Sequence, residues 1–200
     1  GSDQTITFNA LLENTYSGET ITVTDAAGNT TTLTIPDFVI DTTTPTNQNT
    51  VFSSSVIANG GDSITIVNSG DINNQVWFAP ANTTTFVEGN TMTKANNGNA
   101  TSIDAPANDE TYYLYIIDEA GNVSNASTAT LTVTSAPILT EVTAITTPTN
   151  DTTPSYVFTT SKAGTISTTI GQGFSSSATV SAGSDQTITF NALLENTYSG

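Results

Sequence analysis

Short runs in which apolar and polar residues alternate are the commonest pattern along this chain. The clearest are Thr5-Ile6-Thr7-Phe8, Ile21-Thr22-Val23-Thr24, Leu33-Thr34-Ile35, Ile64-Thr65-Ile66 and Leu131-Thr132-Val133. A period of two predicts β-strands that bury one face and expose the other. Turn-forming clusters of Gly, Asn and Ala separate these runs, at the spacing typical of a β-sandwich. No helical pattern of useful length occurs, so the sequence predicts an all-β fold.

The chain contains a long internal repeat. Residues 1–18, GSDQTITFNALLENTYSG, recur without change as residues 183–200, so that the residue numbers of the two copies differ by 183 − 1 = 182. Such identity does not arise by chance. We therefore interpret the chain as slightly more than one period of a protein with near-identical 182-residue repeats.

A weaker similarity divides this period in two. The segment Asp25-Ala26-Ala27-Gly28-Asn29 resembles Asp118-Glu119-Ala120-Gly121-Asn122, and both follow an alternating strand. Pro45-Thr46-Asn47 likewise resembles Pro148-Thr149-Asn150, and each opens a stretch that leads into an aromatic strand. One period is therefore predicted to hold two related domains.

These similarities predict the domain boundaries. Residues 37–136 form one complete domain of about 100 residues, a common domain size. Residues 1–36 are the C-terminal strands of a domain that continues from the preceding repeat. Residues 137–200 are the N-terminal strands of that domain one period later, and a copy of residues 19–36 in the next repeat completes them. We expect neither fragment to bury its apolar face alone.

Composition and charge remove most chemistries from consideration. The chain has 18 acidic and two basic residues, a net charge of −16, and no His, Cys or Arg. Thiol nucleophiles, imidazole bases and arginine clamps are therefore absent, and we expect no enzymatic activity. The negative field disfavours nucleic acid as a partner. No apolar stretch reaches the roughly 18 residues that a membrane helix needs, so this segment is not expected to insert into a membrane. Thr, about a fifth of the residues, favours strands.

The chain resembles the bacterial immunoglobulin-like domains that occur in tandem in large surface adhesins. The resemblance covers most of the second domain and, in the first, the hairpin that begins at Asp118. It implies tandem immunoglobulin-like β-sandwiches with Greek-key connections, and an extracellular location at the bacterial cell surface. It also implies that the partners are neighbouring repeats of the same polypeptide and other copies in a filament. The residues that carry it are Pro148-Thr149-Asn150-Asp151-Thr152-Thr153-Pro154-Ser155-Tyr156-Val157-Phe158, Lys162-Ala163-Gly164-Thr165-Ile166, Ile188-Thr189-Phe190-Asn191-Ala192-Leu193, residues 21–29 and Asp41-Thr42-Thr43-Thr44-Pro45.

The excess of acidic residues has two explanations that the sequence leaves open. One is a solvated acidic surface that keeps a large repeat protein soluble. The other is calcium, which takes six to eight oxygen ligands; the resemblance implies it, because the adhesins that this chain resembles often stiffen their interdomain junctions with calcium. In an immunoglobulin-like sandwich the loop between the last two strands lies where the chain enters the domain. Calcium would then bind near Asp37, Asp41, Asp118 and Glu119, whereas a single hairpin Asp can instead cap backbone N–H groups.

The run Tyr112-Tyr113-Leu114-Tyr115-Ile116-Ile117 is apolar on both faces of its predicted strand. Tyr112, Leu114 and Ile116 are assigned to the core, so that Tyr113, Tyr115 and Ile117 point outward. An outward stripe of this kind favours contact with another domain or filament. Cover by a neighbouring loop is an equal alternative. Trp77 is expected in the core, with a sugar-binding platform as the alternative.

Together these features predict a structural repeat unit of a long extracellular bacterial fibre, stalk or adhesin. Its function is reach, stiffness and self-association. The alternative is an adhesive module that binds a glycan or a protein through exposed aromatic residues.

Overall fold

The computed structural model describes residues 2–198; Gly1 and Ser199–Gly200, at the outer ends of predicted segments 1–36 and 137–200, lie outside the described residues. The described residues form sixteen short strands and one four-residue helix, and the fold is all-β. The elements are β1 (Asn14–Tyr16), β2 (Thr20–Thr24), β3 (Thr30–Thr34), β4 (Phe38–Ile40), α1 (Gln48–Val51), β5 (Val56–Ala58), β6 (Ser63–Thr65), β7 (Gln75–Ala79), β8 (Thr93–Lys94), β9 (Ser102–Asp104), β10 (Thr111–Ile117), β11 (Thr130–Val133), β12 (Leu139–Thr143), β13 (Ser155–Thr160), β14 (Gly164–Thr165), β15 (Thr179–Val180) and β16 (Asp185–Thr189).

The chain divides into two compact units, Gly1–Ser135 and Ala136–Gly200. The division falls one residue before the boundary that the sequence predicts at residue 137. Residues 1–36 group with the complete domain rather than standing apart. We describe each unit by itself.

The core of the first unit lies between two sheets. One sheet has five strands in the order β5-β11-β10-β7-β8, and the other is the antiparallel pair β6-β9. All pairs are antiparallel except β5 with β11, which run parallel. Side chains alternate between the two faces of β7 and β10, so that Val76, Phe78, Leu114 and Ile116 are fully buried in one cluster with residues of β6, β9 and β11. For β10 this is the face that the sequence assigns to the core. This cluster extends from Val51 to Val133, inside the predicted domain 37–136.

A long two-stranded ribbon precedes this core. Strands β1 and β4 pair at its base, where Tyr16 stacks on Phe38 at 5.1 Å between ring centroids. Strands β2 and β3 continue the ribbon to a turn, and Ile35 N donates to Glu19 O at 2.8 Å between the two pairs. The predicted strand Thr5–Phe8 does not form, although its strand-like sequence is clear. That prediction is wrong for the first copy because nothing in the described residues pairs with it.

The second unit contains two separate sheets. Its main sheet has the order β12-β13-β16, and a separate pair joins β14 to β15. Its buried side chains are few, chiefly Phe158, Thr160 and Phe190, while Ile138 and Leu139 are exposed. Among residues 2–198, no helix combines the length and apolar character needed to cross a bilayer.

Candidate functional site

The Asp118–Asn122 hairpin contacts the linker that leads into the domain. The sequence predicts this contact from the strand order of an immunoglobulin-like sandwich. Asn122 Nδ2 donates to the backbone carbonyl of Asp41 at 3.1 Å. Asp41 and Asp118 line one open cleft of about 660 Å³, and Glu13 lines it with them. The structure therefore brings two of the four predicted calcium ligands to one place.

Asp118 acts as the cap of its own hairpin. Its Oδ1 accepts a hydrogen bond from the Asn122 backbone at 2.8 Å, and its Oδ2 accepts one from Asn122 Nδ2 at 3.0 Å. The turn closes through Gly121, whose φ of +92° lies in the left-handed region that favours glycine. Both carboxylate oxygens thus have structural partners, which is the turn-capping role that the sequence left open.

The other two predicted ligands lie elsewhere. Glu119 Oε2 accepts a hydrogen bond from Asn73 Nδ2 at 3.1 Å. Asp37 precedes the three-residue strand β4 and Asp41 follows it, so four residue steps of extended chain hold them roughly 13 Å apart. Across the described residues no three acidic side chains are grouped closely enough to hold a metal ion. Calcium at this junction remains a prediction, and the structure does not bring Asp37 or Glu119 into its set.

Sequence reasoning missed Glu13. Its carboxylate accepts hydrogen bonds from the hydroxyls of Thr42 at 2.9 Å and Thr43 at 2.7 Å, about 30 residues along the chain. The Thr43 hydroxyl, followed by that of Thr42, lowers the pKa of Glu13 below its ordinary value. The only sequence signal was the Thr-rich run after Asp41, which offers hydroxyl donors. Glu13 ties the start of the ribbon to the linker beyond it.

The predicted outward aromatic stripe is covered on one side by a loop. Tyr115 is 4% exposed and Trp77, its cross-strand neighbour, is 5% exposed. Phe86 of the loop after β7 packs on both, with ring centroids 5.4 Å from Tyr115 and 5.7 Å from Trp77. Lys94 Nζ lies 5.5 Å from the Trp77 ring centroid. Tyr115 points away from the main core, as the sequence predicts. The sequence left open whether another domain or a neighbouring loop covers it, and at this residue the loop does so through Phe86.

Tyr113 and Ile117, the other members of the stripe, are half-buried. Burial raises the pKa of the Tyr115 hydroxyl, which donates to Pro80 O at 3.2 Å. Trp77 is buried as expected, but it lies on the face opposite the main core, with Tyr115 and Phe86. An aromatic platform for sugar binding is therefore not open at Trp77 or Tyr115.

The two copies of the repeated sequence have different structures. In the second copy Asp185–Thr189 is strand β16, paired with β13, and Phe190 is 8% exposed. In the first copy residues 3–8 are outside any strand and Phe8 is 52% exposed. Identical residues thus form a core strand only where a partner strand is present.

The two places where the repeated sequence lies, before the ribbon and at β16, therefore differ in whether a partner strand is present. Comparison of the chain with protein-family models, with curated proteins and with solved structures found no match.

Proposed function

We propose that this chain is a repeat unit of a long extracellular bacterial fibre, built from immunoglobulin-like sandwiches with two in each period, which provides reach and stiffness. The observation that carries the proposal is the repeated 18-residue sequence, which forms a paired strand followed by the buried Phe190 in one copy, whereas the same residues are unpaired and Phe8 is exposed in the other. A segment that lacks its partner strand at one place and has it one period later is what a continuing array produces.

Strand order supports the immunoglobulin-like assignment of residues 37–135. In variable-type domains one sheet contains the third, sixth and seventh strands of the basic fold, with an additional strand next to the third. The opposite sheet contains the second and fifth strands. The order β5-β11-β10-β7-β8 facing β6-β9 fits this arrangement. Here β7 is the third strand, β10 and β11 are the last two, and β6 and β9 form the opposite sheet.

A tyrosine contact recurs three times and supports the same assignment. Immunoglobulin-like folds have a Tyr near the start of the sixth strand, whose hydroxyl bonds the backbone a few residues upstream. Tyr112 donates to Asn108 O at 2.9 Å where β10 begins. Tyr16 donates to Leu12 O and Tyr198 to Leu194 O, both at 3.0 Å. The ribbon after Tyr16 then corresponds to the last two strands of the domain whose first strands are β12, β13 and β16.

The surface chemistry is consistent with a passive fibre. A net charge of −16 for each chain keeps parallel fibres apart and repels nucleic acid. With no His, Cys or Arg, the chain has few of the groups that catalysis needs. We therefore assign it no reaction.

Two measurements on native material test this proposal. Denaturing electrophoresis should show a species far larger than the 20.7 kDa of this chain. Electron microscopy should show an axial repeat of roughly 80 Å, or a simple multiple of it, for two domains of roughly 40 Å each. A band near 20.7 kDa would contradict the continuous chain.

A further inference from the structure

The β2–β3 ribbon has the sequence of a core element but no core. Its Ile21, Val23 and Leu33 share one face, while the opposite face is made of threonines, with Thr22 and Thr32 joined at 2.9 Å. Val23 is 67% exposed and Leu33 is 69% exposed. An isolated two-stranded hairpin is marginal in water and needs further strands on its apolar face.

The hairpin at the tip of the ribbon matches one that does have a core. Asp25 corresponds to Asp118, and both accept hydrogen bonds from the Asn four residues later through both carboxylate oxygens. Gly28 and Gly121 have φ values of +89° and +92°. The same alignment of the two hairpins matches Val23 to Ile116, which is 0% exposed. A position that is buried completely in one hairpin is therefore open in the other.

The second unit offers the complementary surface. One face of its sheet carries Leu139, Tyr156, Phe158 and Ile188 around an open cavity of about 200 Å³. Ile166 lines this cavity with them, and Thr140, Glu141 and Ser167 add polar groups to its wall. In the complete domain the corresponding pair β6-β9 buries Ile64 and Ile103 in one cluster with Leu114 and Ile116 of β10. In the second unit, the sheet β12-β13-β16 takes the place of β6-β9, and the pair β14-β15 forms a separate small sheet. The described residues 136–198 contain no strands that correspond to β10 and β11.

We propose that the β2–β3 ribbon of a second copy of this chain docks in this cavity and completes the sandwich, with Ile21, Val23 and Leu33 facing Leu139, Phe158 and Ile188. Residues 2–8 of the donor chain have the same sequence as residues 184–190 of the acceptor, which include β16. They do not displace β16, because β16 already pairs with β13 of the acceptor and residues 2–8 form no strand. The inference rests on the proposed function, in which the ribbon of one repeat has the sequence of the last two strands of the domain that begins at β12.

Each chain then carries one donor ribbon and one acceptor cavity, in different units. Such a heterologous contact generates open head-to-tail assemblies rather than a closed dimer, unless its rotation closes a ring. Sedimentation of the 200-residue chain should show a mass that rises with concentration beyond that of a dimer.

Two single variants and their mixture test the contact. Val23→Asp should remove donor function and Leu139→Asp acceptor function, each weakening association by more than about tenfold, because a carboxylate would be buried without a partner. Both positions are exposed, so neither change removes buried packing within the single chain. Mixed in equal amounts, the two variants should form a discrete dimer, since one intact donor and one intact acceptor remain.

The controls are Val87→Asp and Ile138→Asp, at positions 66% and 69% exposed outside the proposed contact. Both should assemble like the unaltered chain. A chain that stays monomeric at all concentrations, association that survives Val23→Asp or Leu139→Asp, or a mixture that stays monomeric would overturn the proposal. Protection of the β2 amides from hydrogen exchange that does not increase with chain concentration would also overturn it, because docking of a second copy must add to the protection that pairing with β3 already gives. None of these results alters the size of the native species, which tests the fibre separately.

Discussion

Phe8 and Phe190 occupy the same position in two identical 18-residue sequences, yet Phe8 is 52% exposed and Phe190 is 8% exposed. The Phe190 backbone N–H donates to Pro154 O at 3.1 Å, and β16 just before it pairs with five residues of β13. Local sequence cannot explain this difference, because it is the same at both places. The partner strand decides whether the segment becomes a strand.

This pair provides a matched mutational test. Phe190→Ala should destabilise the second unit by about 3 kcal/mol, the low end for removal of a buried Phe, or unfold its sheet. Phe8→Ala should change stability by less than about 0.5 kcal/mol, because its ring is largely solvated. Hydrogen exchange of the β13 amides measures the first change, and chemical denaturation of the full chain measures the second. Equal effects of the two substitutions would contradict the structural difference.

Alternation in the sequence located most strands because it reflects burial on one face. It predicted β2, β6 and β11 within a residue or two, and it placed Leu114 and Ile116 in the core. The Asp-x-Ala-Gly-Asn similarity predicted two hairpins, and their hydrogen bonds are the same in kind. These features depend on local chemistry, which a single sequence carries.

Features that depend on distant residues were missed. Tyr115 was predicted to point away from the core, with cover by a loop as one alternative, but the sequence did not identify Phe86, from the loop after β7, as the residue that covers it. Thr5–Phe8 was predicted as a strand, but its pairing partner is not present in the described residues. Glu13 was not predicted because its Thr42 and Thr43 partners are set by the pairing of β1 with β4. Alternation does not reveal which loop or strand lies opposite a given residue.

The β2–β3 hairpin should be sensitive to acid through Asp25. Hydrogen bonds from the Asn29 side chain and backbone lower the pKa of Asp25 below its ordinary value of 3.8. The ionised form is therefore favoured by folding, so that its contribution is present above pH 3.8 and is lost as pH falls through the lower folded pKa. Amide protection at Gly28 and Asn29, followed by nuclear magnetic resonance, should decrease over that range.

Asp25→Asn is the control for this titration. Its hairpin should be less protected near neutral pH, and its protection should no longer depend on acid over the range in which Asp25 titrates. Protection in the unaltered chain that stays constant while the pH falls well below 3.8 would show that the carboxylate does not hold this turn.

Phe86 is predicted to shield Trp77 from water. Phe86→Ala should remove the ring that lies 5.7 Å from the Trp77 ring, shift its fluorescence emission to longer wavelength and increase quenching by acrylamide. Val87→Ala, at the adjacent position that is 66% exposed, should leave both properties unchanged. Unaltered emission in Phe86→Ala would mean that Trp77 is buried by other groups.

The calcium prediction can be tested at the cleft that two of its four predicted ligands, Asp41 and Asp118, line together with Glu13. Although these acids line one cleft, no three acids among the described residues are grouped closely enough to hold a metal ion together. Backbone carbonyls and water would therefore have to supply most of the ligands, and we expect weak binding with a Kd of about 10⁻³ M. Chelation should then lower the unfolding temperature of a calcium-loaded sample, and Asp118→Asn should abolish that change. Asp185→Asn, at an exposed position outside the cleft, is the control. An unfolding temperature that chelation leaves unchanged would exclude the site.

Ser127 should be essential to the core although it is polar. Its hydroxyl accepts a hydrogen bond from Leu114 N at 2.9 Å and donates to Ala129 O at 2.7 Å, and the residue is 3% exposed. Ser127→Ala leaves the N–H of a buried strand without this partner, which costs about 1–3 kcal/mol of unfolding free energy. Denaturation of the Ser127→Ala chain should show this loss. Ser63→Ala, at an exposed position in β6, should have little effect, and a similar cost at both positions would mean that the buried hydrogen bond contributes nothing specific.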